Sequence, residues 1–389
     1  MRVQENRILA VGPASEILPE ESEEVLDLGD AVLLPGLINA HCHLDYSSLR
    51  HAIDPPQSFT EWVLRLNAIK RQLSDEDILE AIRRGCCEAR RFGTTTICSM
   101  AAFPELLARV GPLSQRIWWF YEMIDIRHRL TSEEVVAGAL SFFNDPPDPL
   151  VRYGLNPHAP YTASLLLYRL ARACAEEKGL LLSSHVAESH EETQMFRSSS
   201  GSLYEFLAGI GRPMHDCGHD TPLGWLWRNN ATGGDWILAH LNDLQETDFE
   251  LLKSLPVQSL PHMVHCPGSH AYFQHPHFQF ERLMEMGANI CVGTDSLAST
   301  DSLSLLGELR RLQKQMPNLP PERLLQTLTL APARALKLEG QLGCIAPNAL
   351  ADLIAIPLHG LPLQNAAAAC IQFSETVPWM MVDGKIINL

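Results

Sequence analysis

The chain has no cysteine arrangement that would build a disulfide framework or a CxxC metal ribbon. Its ten cysteines stand at 42, 86, 87, 98, 174, 217, 266, 291, 344 and 370, with no CxxC among them. It has no apolar run near the roughly 18 residues of a membrane span, and no basic segment leading into an apolar stretch at its start. A soluble protein in a reducing, cytoplasmic setting is the expectation. Basic residues are in deficit, 30 Lys and Arg against 46 Asp and Glu for a net charge of −16. That balance argues against nucleic acid or an anionic membrane as partner. Internal repeats and low-complexity tracts are absent too. With 46% hydrophobic and 20% charged residues over 389 positions, the chain can bury a sizeable core and suits a decorated α/β barrel.

Two short apolar runs open the chain, 7–13 and 24–30, each closed by turn residues. Neither can bury itself alone, and partners are available at 351–356 and 377–387. A small β domain made from both termini is expected. Between them, apolar strands alternate with helical spacing. The helical stretches are 75–91 (with Ser74 and Asp77 as a loose capping box), 164–178, 247–255 and 281–287. The strands are the run ending at His41, then 93–99, 116–124, 150–155, 180–184, 236–239, 259–264 and 289–292. Eight such units predict a (β/α)8 TIM barrel. Residues 145–149 read as a turn before the fourth barrel strand. Residues 189–235 exceed one βα unit and read as an elaborated loop over the C-terminal mouth.

Reactive groups of such barrels sit at the C-terminal ends of strands. Here those ends carry His41 and His43, His158, His185 with Glu188, His240, His265 with Cys266, and Asp295. His41 and His43 are two residues apart, so in an extended strand they leave on the same face. Asp295 can also be read as a helix cap beside Ser296 and Ser299, but a carboxylate directly after a buried strand reads first as a site group. Three imidazoles and one carboxylate suit one divalent ion, zinc first and ferrous iron second. Such a set leaves room for a water, whose pKa a metal lowers towards about 7. A two-metal site needs a bridging group, often a carbamylated lysine, near the end of the fourth strand. Residues 151–158 hold no lysine, so one metal is expected.

The segments PGLINAHCHLD at 35–45, HVAES at 185–189, LAH at 238–240, VHCPGSH at 264–270 and VGTDS at 292–296 resemble, in that order, the amidohydrolase superfamily in its mononuclear aminohydrolase branch. Residues 343–347 and 351–353 are similar to the last-strand signature of that family's flanking β-sandwich. The resemblance implies a sandwich from residues 1–35 and 338–389 around a catalytic barrel of 36–337. The first residues look like the second strand of that sandwich. It further implies that His41, His43, His185 and Asp295 hold the metal. Glu188 would donate a proton to the ring nitrogen beside the attacked carbon, His240 would contact the tetrahedral centre, and Asp295 would pass the water proton to departing ammonia.

Pro157-His158-Ala159-Pro160-Tyr161 and Ser58-Phe59-Thr60-Glu61-Trp62 are similar to deaminases of adenosine-type nucleosides, including S-adenosylhomocysteine, methylthioadenosine and 6-aminodeoxyfutalosine. His158 would then touch base or sugar, and Trp62 would line the pocket, although it reads equally as packing. Glu122 would accept hydrogen bonds from ribose hydroxyls. Arg127 and Arg129 would meet a substrate carboxylate or stand solvated in a loop. His270 stands where many relatives have asparagine. The implied partner is a small heterocyclic amine, with a homodimer as the implied assembly. Guanine, cytosine or triazine aminohydrolases and chlorohydrolases share the metal set, and an inactive binding barrel is the alternative from another class. Nucleic-acid cytidine deaminases require P-C-x-x-C, which this chain lacks.

Overall fold

The computed structural model describes residues 1–20, 23–126, 130–143 and 148–388. Among the described residues, fourteen strands, β1 to β14, follow one another in chain order. Eight of them form one parallel sheet in sequential order: β4 (Leu37–Cys42), β5 (Thr94–Ala101), β6 (Arg116–Met123), β7 (Val151–Pro157), β8 (Leu181–Val186), β9 (Trp236–His240), β10 (His262–His265) and β11 (Ile290–Val292). The sheet closes at a narrow seam. Cys42 and Asp295 form a single parallel bridge, and the amides of Thr294 and Asp295 both donate to the His41 carbonyl at 3.1 Å. A Cβ on Gly293 would stand 2.6 Å from that same oxygen, so only glycine fits the seam. The expected TIM barrel is therefore what the chain forms.

The strands are buried on both faces because helices cover the outside and side chains fill the inside. Ile38, Met100, Phe120, Leu181, Ile237, Val264 and Cys291 belong to one buried cluster, drawn from every barrel strand except β7. At β7 the contribution is space, since a Cβ on Gly154 would lie 2.6 Å from the Phe120 ring. The helix Asp75–Arg91 runs as expected. Its capping box is complete, with Asp77 N–H donating to Ser74 Oγ and Ser74 N–H to Asp77 Oδ2. The helix Leu165–Lys178 starts on Ser164 and stops on Gly179 in the left-handed region.

Both termini build the smaller β layer. β1 (Arg2–Gln4) and β2 (Arg7–Ala10) form a hairpin. β3 (Ala31–Pro35), β12 (Leu353–Pro357), β13 (Trp379–Val382) and β14 (Lys385–Ile386) form an antiparallel sheet in the order β14-β13-β12-β3. The hairpin joins it through Ile8, whose N–H donates to Ala349 O at 2.9 Å and whose carbonyl accepts from Asn348 N–H at 2.8 Å. Arg116 anchors this layer to the barrel floor. Its buried guanidinium forks onto Asp352 at 2.7 and 3.2 Å and also pairs with Asp383.

Three expectations shift. Residues 24–30 form no strand, and Val25 and Leu26 are exposed there. The ladder moves to Ala31–Pro35, where β12 offers a full set of backbone partners at the barrel entrance. The tenth strand starts at His262, because Val257–Ser259 is a short 3-10 turn. The 189–235 region is not a loop but three helices, His190–Ser198, Ser202–Gly209 and Pro222–Arg228. The turn expected at 145–149 lies partly outside the described residues. No helix among the described residues is long and apolar enough to cross a membrane.

Candidate metal centre and active site

Each reactive side chain is delivered by the end of a barrel strand. The register of β4 against β5 shifts between Asn39 and Cys42, a bulge that re-aims the chain as it leaves the strand. His41 and His43 emerge there with ring centres 5.2 Å apart. His185 is the penultimate residue of β8, with its ring 4.8 Å from that of His41 and its Nε2 3.2 Å from His43 Nε2. Asp295 follows β11, with Oδ1 3.7 Å from His43 Nε2 and 4.0 Å from His41 Nε2. His240 ends β9 and completes the ring, 5.3 Å from both His41 and His185. Ala187, His240 and Asp295 all hold positive φ, at 49°, 76° and 59°. Non-glycine residues adopt that region at a cost, and it concentrates here at three of the strand ends.

The donor set fits a cation. Both ring nitrogens of His41, Nδ1 of His43 and Nε2 of His240 are buried with no hydrogen-bond partner. Buried polar atoms are rarely left so unless something else satisfies them. Burial first, and then neighbouring imidazoles, pushes His41 and His43 well below the ordinary histidine range. These rings are therefore neutral and carry lone pairs, which is the ligating form. His185 Nδ1 donates to the His158 carbonyl at 2.7 Å, which fixes the tautomer and turns Nε2 into the site. Burial raises Asp295, and attraction to a proton shared among His240, His43 and His41 outweighs it and lowers the carboxyl below its usual range. Ser299 Oγ donates to its Oδ2 at 2.9 Å.

Glu188 is the electrostatic opposite of Asp295. Burial, Asp295 and the neighbouring Glu192 push it well above the usual carboxylate range. Its Oε1 stands 3.8 Å from His240 Nε2. Its backbone is clamped from both sides, with the N–H donating to Glu192 Oε2 at 2.8 Å and the carbonyl accepting from Asn242 Nδ2 at 3.0 Å. Asn242 Oδ1 lies 3.0 Å from His270 Nδ1, so the residue that departs from the family pattern supports Glu188 through one intermediary. The two carboxylates are thus driven in opposite directions by their surroundings.

His43, His185, Glu188 and Asp295 floor a cavity of about 300 Å³. Of the residues expected from sequence, His158, Trp62 and Glu122 line it. His158 Nδ1 pairs with Thr162 Oγ1 at 2.6 Å, which leaves Nε2 free. Arg127 and Arg129 lie outside the described residues. His265 stays out of the cluster, since its buried ring stacks on Phe278 at 3.9 Å. Sequence reasoning missed Tyr46, Asn67, Lys70 and Tyr161, and it missed the wall from the inserted helices: Leu203, Phe206, Leu207 and Ile210. Their i, i+3, i+4, i+7 spacing is the pattern of any helix facing a core, so nothing in it points to a cavity. Glu191 ties the insertion to the opposite wall by accepting from the amides of Phe59 and Thr60 at 2.7 and 3.0 Å.

A parallel eight-stranded barrel with imidazoles and a carboxylate converging at its C-terminal mouth defines a metal-dependent hydrolase. Residues 32–387 match the model of the amidohydrolase family, and the chain belongs to that family. The chain is 28% identical to the 5-methylthioadenosine/S-adenosylhomocysteine deaminase of Syntrophobacter fumaroxidans, over 98% of this chain and 86% of that protein. Among solved structures it is similar to atrazine chlorohydrolase from Arthrobacter aurescens TC1 complexed with zinc. That match has a TM-score of 0.83 and 18% identity, and it covers 99% and 89% of the two chains. It is also similar to Helicobacter pylori aminofutalosine deaminase in complex with methylthio-coformycin, with a TM-score of 0.78, 24% identity and coverage of 92% and 87%.

Proposed function

We propose that the protein deaminates adenosine-type nucleosides hydrolytically, giving the inosine-type product and ammonia, with one zinc ion held by His41, His43, His185 and Asp295. The relative named for methylthioadenosine and S-adenosylhomocysteine supports the substrate class. The observation that carries the chemistry is the convergence of His41, His43, His185, His240, Asp295 and Glu188 at one barrel mouth, with Asp295 Oδ1 3.7 Å from His43 Nε2 and Glu188 Oε1 3.8 Å from His240 Nε2. When bound, the ion supplies a Lewis acid at the cavity floor.

The chain's own groups supply the proton traffic. Water oxygen adds to the amine-bearing carbon of the purine. Glu188 gives its carboxyl proton to the adjacent ring nitrogen, which takes up the electron pair of the C=N bond. Asp295 accepts one proton of the water and returns it to the amine, which departs as ammonia when the C–N bond breaks, and the proton left on the added hydroxyl passes back to Glu188 as the C=O bond forms. His240 faces the tetrahedral centre from β9. Trp62 and Phe59, stacked with ring centres 6.0 Å apart, offer an aromatic wall for the base. Glu122 accepts from ribose hydroxyls. Ten unpaired cysteines support a cytoplasmic setting.

The reading is tested by incubating the metal-loaded protein with adenosine, methylthioadenosine, S-adenosylhomocysteine and 6-aminodeoxyfutalosine while adenine absorbance and ammonia are followed. Conversion of at least one of the four is expected. Release of ammonia from guanine or a triazine and from none of the four would overturn it.

A further inference from the structure

We infer that Lys70 reads an anionic substituent on the substrate, so that the cavity favours nucleosides bearing a carboxylate beyond the sugar. The inference rests on the adenosine-type reading above and specifies its substrate. Helix Phe59–Lys70 forms one wall of the cavity, apolar along Phe59, Trp62, Val63 and Leu66 and polar at Asn67 and Lys70 in its last turns. Lys70 is the only lysine or arginine among the described residues that line the cavity. In a chain with 46 acidic side chains against 30 basic ones, a cation next to a pocket would ordinarily have an acidic partner. No described carboxylate forms an ion pair with Lys70.

Its ammonium rests instead on aromatic faces, 4.8 Å from the centre of the Tyr46 ring and 5.5 Å from that of Phe103. Such a seat holds the charge in place and leaves its N–H donors open to a ligand. The position along the cavity matters as well. Glu188, His240 and Asp295 come from β8, β9 and the end of β11, whereas Tyr46 and Phe103 follow β4 and β5. Lys70 thus faces Glu188 and His240 from across the barrel mouth, on the side where β11 and Asp295 adjoin β4 at the seam. A nucleoside whose amine-bearing carbon sits at Glu188 and Asp295 turns its sugar-borne end towards that side. A carboxylate there meets the ammonium in a partly desolvated setting, where a charge-assisted hydrogen bond is strongest.

The test compares S-adenosylhomocysteine, which carries a carboxylate, with methylthioadenosine, which carries none. The readout is the ratio of their kcat/KM values in the metal-loaded wild type, Lys70→Met and Lys70→Arg proteins. In Lys70→Met the ratio falls about ten- to a hundredfold, mainly through KM, as expected for loss of one charge-assisted bond. Lys70→Arg keeps the charge and preserves most of the ratio. In the wild type, raising ionic strength from about 0.05 to about 0.5 M raises KM for S-adenosylhomocysteine more than for methylthioadenosine. This last measurement needs no variant to fold. Equal losses on both substrates, or no salt discrimination, overturn the role of Lys70 while leaving the deaminase reading intact. A wild type that turns over no adenosine-type nucleoside overturns both.

Discussion

Glu192 is fully buried on the first turn of the first inserted helix, directly behind Glu188. Its Oε2 accepts the Glu188 amide, while its Oε1 has no hydrogen-bond partner. Burial outweighs the amide hydrogen bonds and pushes its carboxyl from 4.5 up to about 8. Between those values the folded protein holds a proton that the unfolded chain has released, so folding stability falls as pH rises through the window and levels off above about 8. A gap of about 3.5 pH units, at about 1.36 kcal/mol each, sets an upper value of about 5 kcal/mol. Glu192→Gln keeps an oxygen acceptor for the Glu188 amide and removes the titration. Urea unfolding of wild type and variant at pH 5, 6.5 and 8.5 checks this, because contributions shared by the two proteins cancel in the difference. The variant should gain on the wild type by up to about 4 kcal/mol from the lowest to the highest pH, which cross about 3 units of that window. A difference that stays constant with pH would refute the reasoning, because Glu192 would then titrate alike in both states.

Other consequences follow from the same geometry. Glu188→Gln should lower kcat/KM by about a hundred- to ten-thousandfold, the usual worth of a positioned proton donor, with metal content unchanged by elemental analysis. Because the wild type needs Glu188 protonated, its kcat/KM should fall as pH rises through the elevated pKa of that group, and a pH–rate profile shows the limb. Arg116→Ala leaves Asp352 buried and unpaired under the terminal sheet and should cost about 3–5 kcal/mol in urea unfolding. Phe206→Ala opens the wall made by the inserted helices and should raise KM for methylthioadenosine several-fold more than it lowers kcat, as steady-state kinetics will read.

The barrel was legible because its strands are short apolar runs separated by helical periodicity, and the helix at 75–91 carries its own start signal in Ser74 and Asp77. The candidate site cluster was legible for a different reason. His41, His43, His185, His240 and Asp295 each stand in the last residues of a buried strand or just past it, where a polar group has few purposes other than chemistry. What stayed hidden looks ordinary in one dimension. Glu192 resembles an acid complementing a helix N-terminus, and Lys70 resembles a base complementing a helix C-terminus. Only the fold shows that one is buried behind the acid and the other faces the cavity. The 24–30 run has strand-like residues, but its ladder partner lies opposite 31–35, and long-range pairing of that kind leaves no local mark.

The central claim is that one divalent ion, held by His41, His43, His185 and Asp295, serves hydrolytic deamination. It is tested most directly by titrating metal-stripped protein with zinc while ammonia release from methylthioadenosine is followed. The rate should rise linearly and break at one equivalent per chain, with His185→Ala giving no break. Full activity without metal, or a break at two equivalents, would contradict the account.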